Sequence, residues 1–145
     1  MSKSNTHETD YLKLIFNNTT MSLVGDATGV VGSGAAGSLY FSLHTADPGE
    51  AGDQTTSEVA YTSYTRVAVA RTTGGFTVSG NAVSLVANVT FPAGTGGSGT
   101  AAYWGVGASS SGAGKLLYKG AISPSIVCGS GVTPQLTAGT VVTED

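Results

Sequence analysis

Apolar residues near the N-terminus recur at helical spacing, whereas further along the chain they alternate with polar residues. The helical stripe consists of Tyr11, Leu12, Ile15 and Phe16. It predicts a helix over residues 6–16, with Asn5 as the N-cap. Its apolar face either covers one end of the domain or docks on a partner. The glycine-rich residues 17–38 that follow are predicted to form a connecting segment.

From residue 39 onward the apolar period changes to two, which is typical of half-buried strands. Leu39, Phe41 and Leu43 alternate with polar neighbours, and His44 is expected on the polar face at the strand end. About eight or nine short strands are predicted at spacings of ~8–12 residues. Residues 116–121 and 126–128 are counted as separate strands.

This strand spacing favours one fold class. Without alternation of helices and strands, the pattern indicates a mainly β protein, an antiparallel β-sandwich that is jelly-roll-like, with one N-terminal helix. The chain of 145 residues has the length of a single domain. Within it, residues 1–38 are expected to hold the helix and connecting segment, and residues 39–145 the β-sandwich.

The composition is poor in charge. Only 10% of the residues are charged, against roughly 25% in a typical globular domain. Such a surface can approach a neighbouring protein without the cost of desolvating charges, although it can also be merely neutral. A net charge of −3 with scattered Lys and Arg argues against nucleic acid as a partner. No apolar run of membrane-spanning length and no signal segment appears, so synthesis in the cytoplasm is expected.

Two patterns resemble catalytic or nucleotide sites, but each lacks a required feature. The Gly-Ala-Gly-Lys run at residues 112–115 is followed by Leu116 instead of Ser or Thr, and a strand follows where a phosphate loop needs a helix. A Ser-His-Asp set built on His44 and Asp47 lacks the Gly-x-Ser-x-Gly elbow that would hold its nucleophile. The sequence therefore predicts no catalytic residues and no cofactor.

Acidic and aromatic residues suggest two kinds of binding site. Asp47, Glu50 and Asp53 lie in one loop, but they lack the alternating pattern of a calcium loop, so a solvated loop without metal is favoured. Aromatic rings can stack on sugars, although in a β-sandwich they more often fill the core. The aromatic residues concerned are Tyr61, Tyr64, Tyr103, Trp104 and Tyr118.

Several motifs resemble a family of tailed-phage virion proteins, usually described as tail fibre or minor tail proteins. The most characteristic is LYFSLHTADPGEAG at residues 39–52. Further matching stretches are residues 64–69, 103–107, 112–118 and 132–145, together with the helix before Phe16. The resemblance implies a structural protein of the virion. Capsid cement or decoration subunits are similar in size and composition.

The sequence thus predicts a non-enzymatic structural protein of a phage particle, either tail-associated or bound on the capsid surface. Other capsid or tail proteins are its expected partners, and a dimer or trimer is its expected homo-oligomer. The alternative is a receptor- or glycan-binding β-sandwich module. The predicted contact segments are the helix face, the acidic loop and residues 141–145, with Tyr11, Ile15, Asp47, Glu50, Asp53, Val141 and Val142 as the contact residues.

Overall fold

A computed structural model describes residues 2–25, 27–139 and 141–144, except for the side chain of Val141. In this part of the chain one helix precedes nine strands. In chain order these are α1 (Asn5–Asn17), β1 (Ser38–His44), β2 (Val67–Ala70), β3 (Phe76–Ser79), β4 (Ala82–Leu85), β5 (Val89–Thr90), β6 (Ser98–Gly107), β7 (Leu116–Gly129), β8 (Gln135–Leu136) and β9 (Val141–Thr143).

The predicted N-terminal helix is confirmed, but its predicted cap is wrong by one residue. Ser4, not Asn5, is the N-cap, and its hydroxyl accepts from the backbone N–H of His7 at 3.4 Å. The helix ends at Asn17, and the left-handed φ of 53° at its C-cap, Asn18, turns the chain away from the helix axis. Leu12 and Phe16 are fully buried, so this part of the apolar stripe packs within the chain.

Residues Met1–Ser38, Ala70–Asn88 and Thr137–Asp145 form one compact unit. In it, α1 packs against the antiparallel sheet with strand order β3-β4-β9. The ring of Phe16 meets Phe76 edge-on, with a centroid distance of 5.0 Å. The guanidinium of Arg71 donates to the carbonyl oxygens of Leu14 and Ile15 at 2.8 and 2.7 Å, which satisfies acceptors in the last helical turn.

Residues Leu39–Val69 and Val89–Leu136 form a second compact unit. Its main sheet has the strand order β2-β1-β6-β7, and β5 pairs with β8 in a two-stranded sheet. Leu43 lies opposite Trp104, and Phe41 lies opposite Val106. These four side chains are buried and belong to the apolar core of this unit.

The opposite face of the main sheet is lined with glycine. A Cβ at Gly105 would lie 2.8 Å from Nε2 of His44, and one at Gly107 would lie 2.3 Å from the amide carbon of Gln54. Both distances are shorter than van der Waals contact, so only glycine allows these buried polar side chains to lie against the sheet. The segment after β1 therefore covers this face.

The two strands predicted at residues 116–121 and 126–128 are one strand, β7. Ala121 pairs with Tyr103 and Ile126 pairs with Ala101, so residues 122–125 of β7 face a single residue of β6. Pro124 lies between the two predicted strands, and proline usually ends a strand. Instead the proline lies in a wide bulge of an edge strand, where its missing N–H is tolerated.

The predicted fold class is confirmed: the protein is mainly β, with antiparallel sheets and one helix, and is consistent with a β-sandwich. The single-domain organisation, with a boundary between residues 38 and 39, stays a prediction. In the described part of the chain, no helix combines the length and apolar character needed to cross a bilayer.

Candidate interaction surface

The acidic loop, residues 47–53, follows β1 and begins with a tight turn. The carboxylate Oδ1 of Asp47 accepts from the backbone N–H of Gly49 at 2.8 Å, and Gly49 adopts a φ of 73°. An Asp followed by a glycine with left-handed φ is a strong sequence signal for a tight turn. The turn places Asp47 and Glu50 on the surface, where their side chains are 46% and 98% exposed.

A lysine of β7 binds both exposed acids of this loop. Nζ of Lys119 lies 2.9 Å from Oδ1 of Asp47 and 3.4 Å from Oε1 of Glu50. Its hydrogen bond lowers the pKa of Asp47, and the same bond raises the pKa of Lys119. The ammonium group thus joins the loop to the sheet and offsets the local negative charge.

The third predicted acid of the loop has other partners. Oδ1 of Asp53 accepts from the hydroxyl and the backbone N–H of Thr55, at 2.6 and 2.7 Å. These bonds lower the pKa of Asp53. The three carboxylates therefore do not converge. Among the described residues, no group of three or more His, Cys, Asp or Glu side chains is placed to hold a metal ion.

A shallow depression of about 120 Å³ lies between the acidic loop and β7. It is lined by Gly49, Glu50, Gly52 and residues 116–119. This shape suits contact with a flat or slightly convex protein surface more than enclosure of a small ligand, because ligand pockets usually have ~300–1,000 Å³.

Gln54 fixes the C-terminal end of the acidic loop. Its side chain is fully buried. Its Nε2 donates to the carbonyl oxygen of Tyr40 at 3.2 Å, and its Oε1 accepts from the backbone N–H of Ser109 at 2.9 Å. Its own backbone N–H donates to the carbonyl oxygen of Gly114 at 3.0 Å. These bonds anchor the C-terminal end of the loop to β1 and to the residues 109 and 114.

His44 is fully buried, so its predicted place on an exposed polar face is wrong. Nδ1 lies 2.8 Å from the carbonyl oxygen of Thr56, and Nε2 lies 2.8 Å from the hydroxyl of Ser42. Because a carbonyl can only accept, Nδ1 carries the proton and Nε2 accepts from Ser42. Burial lowers the pKa of His44 and favours this neutral form.

This geometry differs from that of a catalytic triad. The third group beside His44 is a backbone carbonyl, whereas Asp47 binds Lys119. Ser42 is fully buried, and a buried hydroxyl offers no access to a substrate. The Ser42–His44 pair therefore acts in packing, by satisfying polar groups beneath the loop.

We expect the buried imidazole of His44 to make stability depend on pH near neutrality. An unfolded histidine binds a proton near pH 6.5, whereas the folded imidazole resists protonation because its pKa is lowered. As the pH falls below about 6.5, the unfolded chain binds the proton first, so the free energy of unfolding should fall. Urea denaturation at pH 7.5, 6.0 and 5.0 measures this decrease. His44→Gln should reduce it, whereas His7→Gln, at an exposed position, should preserve it. Equal pH dependence in all three proteins would contradict this role.

The second compact unit also contains an ion pair between Arg66 and Glu58. Arg66 contacts Glu58 through two parallel bonds, Nε to Oε1 at 2.7 Å and Nη2 to Oε2 at 2.8 Å. The guanidinium also donates to the carbonyl oxygens of Ser109 and Gly112 at 3.1 and 2.9 Å. The Arg66 side chain is only 2% exposed. The sequence gives no local signal for this cluster, because a single Arg and a single Glu stand eight positions apart.

Tyr64 completes the ion-pair cluster. Its hydroxyl donates to Oε1 of Glu58 at 2.9 Å and accepts from the backbone N–H of Leu43 at 3.0 Å. Burial raises the pKa of Tyr64 far above its usual range, so the hydroxyl keeps its proton and its donor role. Tyr64 therefore links the ion pair to β1.

The other predicted contact residues lie in the first unit. Tyr11 and Ile15 are half-buried on α1, so part of each side chain remains accessible. Val142 is only 8% exposed and its backbone pairs with Val83. The side chain of Val141 and the whole of Asp145 lie outside the described residues. The contact role of these residues stays a prediction.

The few basic side chains are largely engaged within the chain. Lys3 pairs with Glu144, Arg66 with Glu58, and Lys119 with the acidic loop. Arg71 binds helix carbonyls. These contacts offset much of the small charge that the composition supplies. The surface that remains is rich in neutral Gly, Ser, Thr and Ala.

The aromatic residues do not form an exposed platform. Trp104 is 7% exposed and packs near Phe41, with a centroid distance of 6.1 Å. Tyr61 is 2% exposed, and its hydroxyl donates to the carbonyl oxygen of Pro92. Tyr103 is half-buried. Trp104 is therefore not available for stacking on a sugar, whereas Tyr103 stays partly accessible, and the glycan-binding alternative stays a prediction.

Comparison with known proteins gives a match over almost the whole chain. The family described as Podophage GP4 fiber I protein gp80 matches residues 2–144. The chain belongs to this family. Among curated proteins, no match is found.

Membership of the GP4 fiber I family fits the resemblance predicted from the sequence. It makes the chain a structural protein of the phage fibre type and a component of the virion, associated with other phage structural proteins.

Proposed function

We propose that this chain is a non-enzymatic, tail-associated fibre subunit that works by packing against neighbouring structural proteins. Family membership supports the fibre assignment. The observation that carries the mode of action is the pairing of Lys119, Arg66 and Lys3 with acids of the same chain. A surface with few uncompensated charges can be buried against another protein at low desolvation cost.

The acidic loop is the contact element that we propose first. Its conformation is fixed by the Asp47 turn, the Lys119 ion pairs and the buried Gln54. A preorganised loop with two exposed carboxylates suits a partner surface with basic or hydrogen-bond donor groups. The half-buried helix residues Tyr11 and Ile15 provide a second contact, and the C-terminal Val141 and Val142 segment a third.

Assembly also stabilises the subunit by mass action. A subunit that binds its neighbours only in their assembled state stabilises the assembly, and this effect grows with the concentration of the subunit. A homo-oligomer, dimer or trimer, is the proposed form of the subunit. It requires neither nucleic acid, nor a membrane, nor a cofactor, and it is proposed to be made in the host cytoplasm before incorporation.

Immunogold electron microscopy of purified phage tests this function. An antibody raised against the purified chain should label the tail region. Label on the capsid surface would instead indicate a decoration subunit and overturn the tail assignment. Particles without label, and without the chain on a protein gel, would overturn the structural function itself.

Phage lacking the gene can be complemented with variants of the acidic loop. We expect Asp47→Asn/Glu50→Gln to lower incorporation into particles several-fold, because it removes both exposed carboxylates together with the Lys119 ion pairs that help to fix the loop. Asp10→Asn, a change of equal size on α1, is the matched control and should leave incorporation unchanged. Quantitative immunoblots of purified particles measure the effect. Equal incorporation of both variants would exclude the loop as a charged contact.

A further inference from the structure

Residues 45–58, which include the acidic loop, form a cover over His44 and are joined to β1 through its imidazole ring. Nδ1 donates to the carbonyl oxygen of Thr56 in the cover, and Nε2 accepts from the hydroxyl of Ser42 in β1, both at 2.8 Å. On the sheet side, a Cβ at Gly105 would lie only 2.8 Å from Nε2. The fully buried imidazole is therefore enclosed between the cover and the sheet.

The charged groups around this ring are already engaged with each other. Glu58 pairs with His44 in an isolated β-bridge, but both of its carboxylate oxygens accept from Arg66. The uncharged Tyr103 lies opposite His44 in β6, and the ammonium group of Lys119 in β7 binds the acidic loop. The charge of Glu58 favours a protonated ring, and that of Arg66 opposes it. Glu58 is thus the acid whose charge reaches the ring, and it is not free to bind a protonated Nε2.

A proton on Nε2 would turn this nitrogen from an acceptor into a donor. The hydroxyl of Ser42 would then have to turn its own hydrogen away, and a positive charge would be enclosed away from solvent. Burying a charge without a free partner is unfavourable, which is why burial lowers the pKa of His44. An open form that admits water to the ring removes this penalty.

The cover is held by hydrogen bonds more than by buried apolar side chains. The backbone N–H of Thr45 donates to the carbonyl oxygen of Ser57 at 2.7 Å, whereas Pro48 and Gln54 are the buried residues of the cover. Segments with few buried apolar contacts open at a lower cost in free energy than core strands do. Because β1 lies between β2 and β6, the cover can leave the ring while the sheet stays intact.

The acids of the cover respond to pH in a lower range. Hydrogen bonds from neighbouring side chains and backbone N–H groups lower the pKa of Asp47 and Asp53, so both carboxylates stay ionised at about pH 5. The chain contains two histidines, and the other one, His7, is exposed on α1. An opening of the cover in mild acid therefore depends on His44.

We propose that residues 45–58 are an acid-released cover, which leaves the sheet when His44 is protonated in mild acid. The ring binds a proton in the open form like a free histidine, near pH 6.5, whereas the closed form excludes it. By linkage, the open fraction should rise about tenfold at pH 5.5 and about thirtyfold at pH 5.0, relative to pH 7.5. Opening also frees the acidic loop and should weaken its contact with a partner, and this consequence alone rests on the proposed function.

Amide hydrogen exchange of the full chain, measured by NMR and expressed as protection factors, tests this opening. The amides of Thr45 and Gln54 are hydrogen-bonded in the closed form, and their protection should fall about tenfold from pH 7.5 to pH 5.5. At each pH it should be at least about tenfold lower than the protection of Phe91, whose amide is hydrogen-bonded elsewhere in the same unit. This difference separates opening of the cover from unfolding of the whole unit.

Two histidine variants assign the effect to one ring. His44→Gln removes the titrating group and should make protection at Thr45 independent of pH, whereas His7→Gln is the matched control and should keep the natural pH dependence. The Hε1 resonance of His44 in the natural chain gives a measurement that requires no variant to fold. It should keep its neutral position at about pH 6, where a free histidine is mostly protonated.

Several results would overturn the proposal. They are protection at Thr45 and Gln54 that stays constant with pH, protection there equal to that of Phe91, an unchanged pH dependence in His44→Gln, or a protonated His44 at about pH 6 in the closed form. The proposed function is tested separately by incorporation into particles. If Asp47→Asn/Glu50→Gln enters particles normally, the contact role of the acidic loop is contradicted and the opening of the cover still stands.

Discussion

Glu58→Ala is expected to lower the free energy of unfolding by about 3–5 kcal/mol, because it leaves a buried guanidinium without its counter-ion. The Arg66 side chain is 2% exposed and makes two parallel bonds to Glu58. The hydroxyl of Tyr64 loses its acceptor in the same variant. Urea denaturation followed by intrinsic fluorescence measures the change.

Two further variants separate the buried pair from a general effect of losing a glutamate. Glu50→Ala removes a 98% exposed carboxylate and should change the free energy of unfolding by at most about 0.5 kcal/mol. Glu58→Leu/Arg66→Met removes both charges and should recover much of the stability lost in Glu58→Ala. Equal losses in Glu58→Ala and Glu50→Ala would show that the buried pair contributes little.

The regular elements of this fold are predictable from sequence, because their signal is local. The stripe through Leu12 and Phe16 has the helical period, and the alternation around Phe41 has the strand period. Both patterns identify residues that the fold buries. The prediction of two strands in place of β7 was wrong for a related reason. Proline usually ends a strand, but Pro124 lies in a bulge of an edge strand that continues through it.

The polar network beneath the acidic loop could not be predicted in this way. Ser42 and His44 follow the strand alternation as polar positions, which predicts an exposed face, but the loop after β1 covers them. Arg66 reaches Ser109 across 43 positions of sequence. Such contacts depend on the tertiary path of the chain, and no periodicity in one sequence encodes them.

The loop itself was recognisable, but its geometry was not. The Asp47-Pro48-Gly49 turn has a clear sequence signature. The pairing of Asp47 and Glu50 with Lys119 depends on Lys119 lying beside Gly105 in the sheet. Asp53 looks equivalent in sequence, yet Thr55 binds it and turns it from the other two acids. The residue types of a loop alone therefore do not tell which of its acids stay exposed, because this depends on the side chains that the fold places beside them.

Phe16→Ala is expected to lower the free energy of unfolding by about 3–5 kcal/mol, because it leaves a cavity where a fully buried ring packs edge-on against Phe76. Alanine favours the helical conformation, so the loss measures packing against the sheet and not helix propensity. Lys13→Ala, on the same helix, should change stability by at most about 0.5 kcal/mol. Urea denaturation followed by circular dichroism measures both variants. A loss below about 1 kcal/mol for Phe16→Ala would mean that α1 contributes little to folding. The helix would then be available to a partner as a whole, and not only through the accessible parts of Tyr11 and Ile15.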